Sequence, residues 1–117
     1  MLTLLFALVV MHALLDFPLQ GDAVAINKNP LAKTELQKHV PFYYWLGSHA
    51  LVHGGGVALL TGSVRLGIAE TVCHFVIDYG KCVLKYSIHV DQALHMACKV
   101  LWAVCCVYGI VPFDGMF

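Results

Sequence analysis

Apolar residues fill four long stretches of this chain, and polar residues interrupt them at helical intervals. A bilayer core takes about 20 apolar helical residues per crossing. Residues 1–15, 39–64 and 100–113 contain no Asp, Glu, Lys or Arg, and of these only 39–64 is expected to pass a strict hydropathy scan. Residues 66–87 and 90–111 have the length and apolarity of spans but carry Glu70, Asp78 and Lys81 in one and Asp91, His95 and Lys99 in the other. The pattern predicts four helices, near 2–19, 41–62, 66–87 and 90–111.

Pro18 and Gly21 are placed to close the first helix. The connection over 20–40 is the one long polar piece, and its 31–39 part reads as a short amphipathic helix at the membrane interface. The other links, at Gly62-Ser63 and Ile88-His89, are short and imply antiparallel neighbours. The expected fold is all-α: a polytopic membrane protein with four transmembrane helices in an up-down antiparallel bundle, one domain over 1–117. The first segment lacks a basic leader and contains His12 and Asp16, so it reads as a span and not as a signal peptide cut near Ala23-Val24-Ala25. The aromatic run at 42–45 suits an interfacial belt.

Composition sharpens this. Hydrophobic residues make up 60% of the 117 and charged ones 12%, with mean hydropathy +0.77; soluble domains carry roughly 25% charged residues. One small core cannot hide so much apolar surface, which therefore points to a lipid bilayer. Seven basic residues balance seven acidic ones, so no field gathers nucleic acid. The five cysteines lie in apolar stretches without a CxxC pair and read as small buried hydrophobes. Lys28, Lys33, Lys38, Lys81 and Lys85 fall on one side and Arg65 on the other, so the positive-inside rule makes the first side cytoplasmic and both termini periplasmic.

Each predicted helix carries a polar pair four residues apart: His12 with Asp16, His49 with His53, His74 with Asp78, and Asp91 with His95. Residues at that spacing share a face, and four such stripes are least costly turned towards one another. At 1.5 Å per residue, His12, His49, Asp78 and His95 lie roughly 10, 12, 13 and 7 Å from the cytoplasmic ends. The eight residues thus form a polar column in the cytoplasmic half. Imidazole and carboxylate together suit a divalent metal (zinc, manganese or iron), which also neutralises buried carboxylates. His12, His49, Asp78 and His95 are the expected direct ligands, with Asp16, His53, His74 and Asp91 completing a second metal or orienting the first. An activated water would be the nucleophile and Asp16 or Asp91, near the mouth, the general base, for hydrolysis of a lipid or lipid-linked substrate.

Other readings of the same residues are interhelical hydrogen bonding that fixes the packing, a proton or ion relay, and haem held by histidines. The nearly apolar outer half, at 2–9, 59–61 and 101–110, counts against a continuous conducting path. Lys81 could bind an anionic substrate, but neutralising Asp78 or reaching the headgroups is the preferred reading. Glu70, four residues before His74, is placed to orient that ring. Cys82 and Cys98 lie on or beside the polar faces and read as buried side chains before minor ligands. His39 and His89 fall at the interface. His53-Gly54-Gly55-Gly56 matches an esterase string, but no GxSxG elbow accompanies it, so it reads as a close helix-packing surface.

The runs His12 to Asp22, His49 to Gly54, His74 to Lys81 and Val90 to His95, in that order, resemble the small bacterial and phage membrane proteins known as domain of unknown function 3307. The resemblance covers roughly residues 10–105. It implies a polytopic helical protein of a bacterial inner membrane and no particular activity; a phage-encoded partner of a host membrane protein is a non-enzymatic alternative. It also draws in Gln20 and Asp22 just past the first helix and Gln92 beside Asp91, near the mouth of the column. A looser likeness is to membrane-bound metal-dependent hydrolases with His and Asp on their spans.

Overall fold

The computed structural model describes residues 1–111, and these form helices joined by turns: α1 (Leu2–Asp16), α2 (Gly21–Asn27), α3 (Glu35–His39), α4 (Phe42–Thr61), α5 (Val64–Leu84) and α6 (Ile88–Val107). Residues 112–117 of the expected domain, and with them the placement of the C-terminus, lie outside the described residues. The four long helices are those the apolar pattern predicts. α1 packs on α4 and α6, and α5 on α4 and α6. Asp16 meets His49 while Met11 lies beside Gly56, and Glu70 meets Lys99 while Lys81 meets Asp91, so sequence neighbours in this ring run antiparallel.

The ends of the helices follow local chemistry. Ser63 and Ser87 accept hydrogen bonds from the backbone of Leu66 and Val90, capping α5 and α6. Gly62, at φ +67°, supplies the left-handed residue that closes α4. α1 stops at Asp16, three residues short of the predicted end; Phe17 still donates to the Ala13 carbonyl, and Pro18 has no N–H with which to continue the ladder. Gly21, at φ +70°, then starts α2, whose axis is bent 85° from α1. α2 is absent from the pattern-based prediction, and the helix expected at 31–39 is confined to Glu35–His39 by the capping box of Thr34 and Gln37.

Membrane-span character differs from expectation. By length and composition, Ile88–Val107 alone among the described residues passes as a span, with mean hydropathy 1.3, and α1 with α2 passes only as a bent pair. Four transmembrane helices are therefore not supported by hydropathy. The stretch 39–64 fails because two histidines, four glycines and the aromatic hydroxyls of α4 dilute its apolar residues. α5 carries Arg65, Glu70, Asp78 and Lys81, and α1 has 15 residues.

Along α5 and α1, polar side chains turn inward and many aliphatic ones outward. On α5, Glu70, His74 and Asp78 are 0–3% exposed, whereas Ile68, Val72 and Val76 are 58–62% exposed. α1 buries Leu8, His12 and Asp16 while Leu2, Phe6, Val10 and Leu14 face outward. Gly54 makes the close α4–α5 approach possible, since a Cβ there would lie 1.9 Å from the Thr71 hydroxyl and 2.4 Å from the Gly67 carbonyl. The glycine run is a packing surface at Gly54 and at Gly56, which abuts Met11, but not at Gly55. At the end of the bundle away from α2, Leu8, Val57, Leu66, Trp102 and Ala103 form an apolar plug.

Candidate metal centre

All eight paired residues are buried, and their side chains meet between the four long helices. Asp16 Oδ1 lies 3.3 Å from His49 Nε2, 3.6 Å from His53 Nε2 and 3.8 Å from His74 Nε2, and the last is 3.2 Å from His49 Nε2. Asp78 Oδ1 is 3.1 Å from His95 Nε2, which is 3.8 Å from Asp91 Oδ1. Potential ligand atoms fall into three adjoining groups within 4.8 Å: Asp16, His49, His53 and His74; His12, His74 and His95; and Asp78, Asp91 and His95. Donors bound tetrahedrally to one ion by bonds of about 2.0–2.1 Å stand about 3.3 Å apart. The spacings around Asp16 are close to that value.

Four buried atoms of the residues in these groups, His12 Nδ1, His53 Nε2, Asp91 Oδ1 and His95 Nδ1, have no hydrogen-bond partner among the described residues. Orphaned polar atoms are rare in interiors and need a reason; an ion supplies one for His53 Nε2 and Asp91 Oδ1. Charge pairing singles out Asp16. Lys99 meets Glu70 at 2.5 Å, Lys28 meets Asp78 at 2.6 Å and Lys81 meets Asp91 at 3.1 Å. Asp16 has no ammonium partner among the described residues; imidazoles surround it, and Gln92 Nε2 donates to its Oδ2 at 2.8 Å. A divalent cation there would neutralise that carboxylate and engage three imidazoles at once.

The groups therefore differ from the expected division, in which His12, His49, Asp78 and His95 were the direct set. His49 stands with Asp16, His53 and His74, because depth along a helix does not specify its rotation. Glu70 meets His74 as its spacing predicts: its Oε1 lies 3.4 Å from Nδ1, leaving Nε2 to the cluster. Gln92 bridges, with its Oε1 3.3 Å from His12 Nε2. Gln20 donates to the backbone carbonyl of Asp16 at 3.1 Å. Asp22 is exposed on α2 and does not reach the cluster. Lys81 pairs with Asp91 and not with Asp78, whose partner is Lys28. Cys82 lines the mouth and Cys98 packs on the apolar plug; His39 and His89 are exposed.

Sequence reasoning missed Lys28, Lys99 and Trp102. Lys99 is 1% exposed and extends the Asp91–His95 stripe by one more turn, a signal present in the spacing; Trp102 Nε1 donates to Glu70 at 2.6 Å. Lys28 carried no such signal, since α2 and its turn deliver it. Asn27, 2% exposed, holds that turn: its Nδ2 donates to Ala23, its carbonyl accepts from Gln37 at 2.8 Å, and its side-chain oxygen accepts from Thr34.

A cavity of about 710 Å³ opens onto the cluster from the side of α2, with Asp16, Asp78 and Asp91 at its inner end. The column is thus accessible at one end and closed by the apolar plug at the other. Comparison with curated proteins and with solved structures gives no match. A family model matches residues 4–111, nearly all of the chain and every residue of the cluster, and the chain belongs to that family, Protein of unknown function (DUF3307).

Proposed function

We propose that this protein is a four-span membrane protein with a divalent metal held at Asp16, His49, His53 and His74, acting as a hydrolase on a lipid or lipid-linked substrate. One observation carries the reading: histidines and carboxylates fill the interior while aliphatic side chains face outward. Water would penalise that arrangement on both counts, and a bilayer would favour it. α5, with 21 residues, is about 31 Å long, matching the hydrocarbon thickness of about 30 Å. Low hydropathy counts less against spanning here, because His49 and His53 of α4 and Glu70, His74 and Asp78 of α5, which lower it, are buried. The lysines of the 20–40 connection support a cytoplasmic mouth and periplasmic termini.

Zinc, manganese or ferrous iron suits an all-nitrogen-and-oxygen donor set. Such an ion lowers the pKa of a bound water to about 7 and makes a nucleophile of it. Asp91 lines the cavity, accepts no hydrogen bond at Oδ1 among the described residues and is the general base in this reading; Asp16, which the spacing also nominated, serves as ligand. A conducting role is disfavoured by the apolar plug.

Elemental analysis of detergent-purified protein prepared without chelator tests this. A stoichiometric transition metal is expected in the wild type, retained in Asp22→Asn and lost in Asp16→Asn and His53→Ala. Metal-free wild-type protein would return the cluster to interhelical packing.

A further inference from the structure

The mouth cavity carries a feature that metal binding does not require. Three lysines, Lys28, Lys81 and Lys85, line it above the three carboxylates. Cations beside a cation site oppose the metal unless an anion neutralises them. Lys28 and Lys81 are held by Asp78 and Asp91, but Lys85 makes no ion pair among the described residues. Lys85 also sits at φ +55°, a left-handed position where a side chain costs about 1–2 kcal/mol and glycine is the usual occupant. The chain places an unpaired ammonium where local conformation would favour no side chain. Beside the polar Gln20, Asn29 and Tyr86, the remaining wall carries outward-facing apolar side chains: Phe17 is 60% exposed, Leu31 51% and Ile88 45%.

We infer that this cavity binds the phosphate group of a phosphomonoester amphiphile, with the phosphate between Lys85 and Lys81 and the chain along Phe17, Leu31 and Ile88. This rests on the hydrolase reading for its catalytic meaning and names the substrate class. A phosphomonoester carries about two negative charges at neutral pH, more than a carboxylate or a phosphodiester offers. Lysine serves such groups as a point charge. The apolar wall distinguishes an amphiphile from free phosphate. Hydrolysis of the ester joins the water oxygen to phosphorus and breaks the bond to the ester oxygen. The proton given by water to Asp91 passes to that oxygen as the alcohol leaves.

Native mass spectrometry of the detergent-solubilised full chain reads bound metal and bound lipid in one spectrum. The probes are dioctanoyl phosphatidic acid, dioctanoyl phosphatidylglycerol and inorganic phosphate. Phosphatidic acid is expected to bind about fivefold or more tighter than phosphatidylglycerol, the order of one additional charge beside a lysine. Lys85→Gly, which relieves the left-handed position and so keeps the fold, should lose about that factor with the metal mass unchanged; Lys81→Gln should do the same. Equal binding of the two lipids, or undiminished phosphatidic acid binding by Lys85→Gly, overturns the proposal. Inorganic phosphate binding as tightly as phosphatidic acid overturns the amphiphile assignment. Lysine-dependent selectivity in protein without metal would uphold this site while removing the metal reading.

Discussion

Glu70 shows how much a single buried charge governs here. Its carboxylate receives the Lys99 ammonium, the Trp102 indole and the His74 ring, all within the bundle. Removing one partner of such a pair leaves the other charge uncompensated, a loss of about 3–5 kcal/mol. Glu70→Gln should therefore lower stability by about that amount, and adding Lys99→Met should recover most of it, as thermal unfolding of the detergent-solubilised protein would register. At this scale the sequence was informative. The four pairs at i and i+4 identified eight buried residues, and the same spacing extended to Lys99. Its limit was partnership: that Lys28 and not Lys81 would meet Asp78 depends on a turn that residue spacing cannot show.

Among the elements, α4 and α5 make the closest approach, and glycine permits it. A Cβ on Gly54 would meet backbone at 2.4 Å and one on Gly67 would meet Ala58 at 2.7 Å, whereas Gly55 has open space. Gly54→Ala and Gly67→Ala should each cost about 1–3 kcal/mol by forcing the helices apart. Gly55→Ala should be neutral or stabilising by up to about 1 kcal/mol, since alanine favours the helix. The same unfolding measurement separates the three. The polar connection makes a second claim: Asn27 ties α2 to the Thr34–Gln37 turn. Asn27→Ala should release that turn and speed trypsin cleavage at Lys28 and Lys33, read by limited proteolysis. α2 itself escaped the hydrophobic pattern because seven residues are too few to display a period, and its existence follows from the bend at Gly21.

For the whole molecule, the inward turn of polar side chains along α5 and α1 is the property with the widest consequence. Exposed Val72 and Val76 beside buried His74 suit a hydrocarbon solvent. The protein should remain in the membrane fraction after alkaline carbonate extraction, and release into the supernatant would remove the spanning reading. Orientation is tested separately. With the native cysteines replaced by alanine, Lys33→Cys should react with an impermeant maleimide in inverted vesicles and not in intact spheroplasts; the opposite result would reverse the topology. Among the described residues hydropathy alone identified a single qualifying helix besides the bent α1–α2 pair, since an average over residues ignores which face each one occupies. The three-dimensional arrangement restores that information.

The sequence by itself determined the four long helices and the polar stripe on each. Both are local consequences of a fixed rise and rotation per residue, so spacing along the chain is enough to read them. Tertiary structure decided what no spacing contains: that Asp16 gathers His49, His53 and His74, that the column is closed by Leu8 and Trp102, and that a cavity with three lysines opens onto its other end. These depend on helix rotation, on the close contact at Gly54 and on the bend at Gly21, all set by packing between segments distant in sequence.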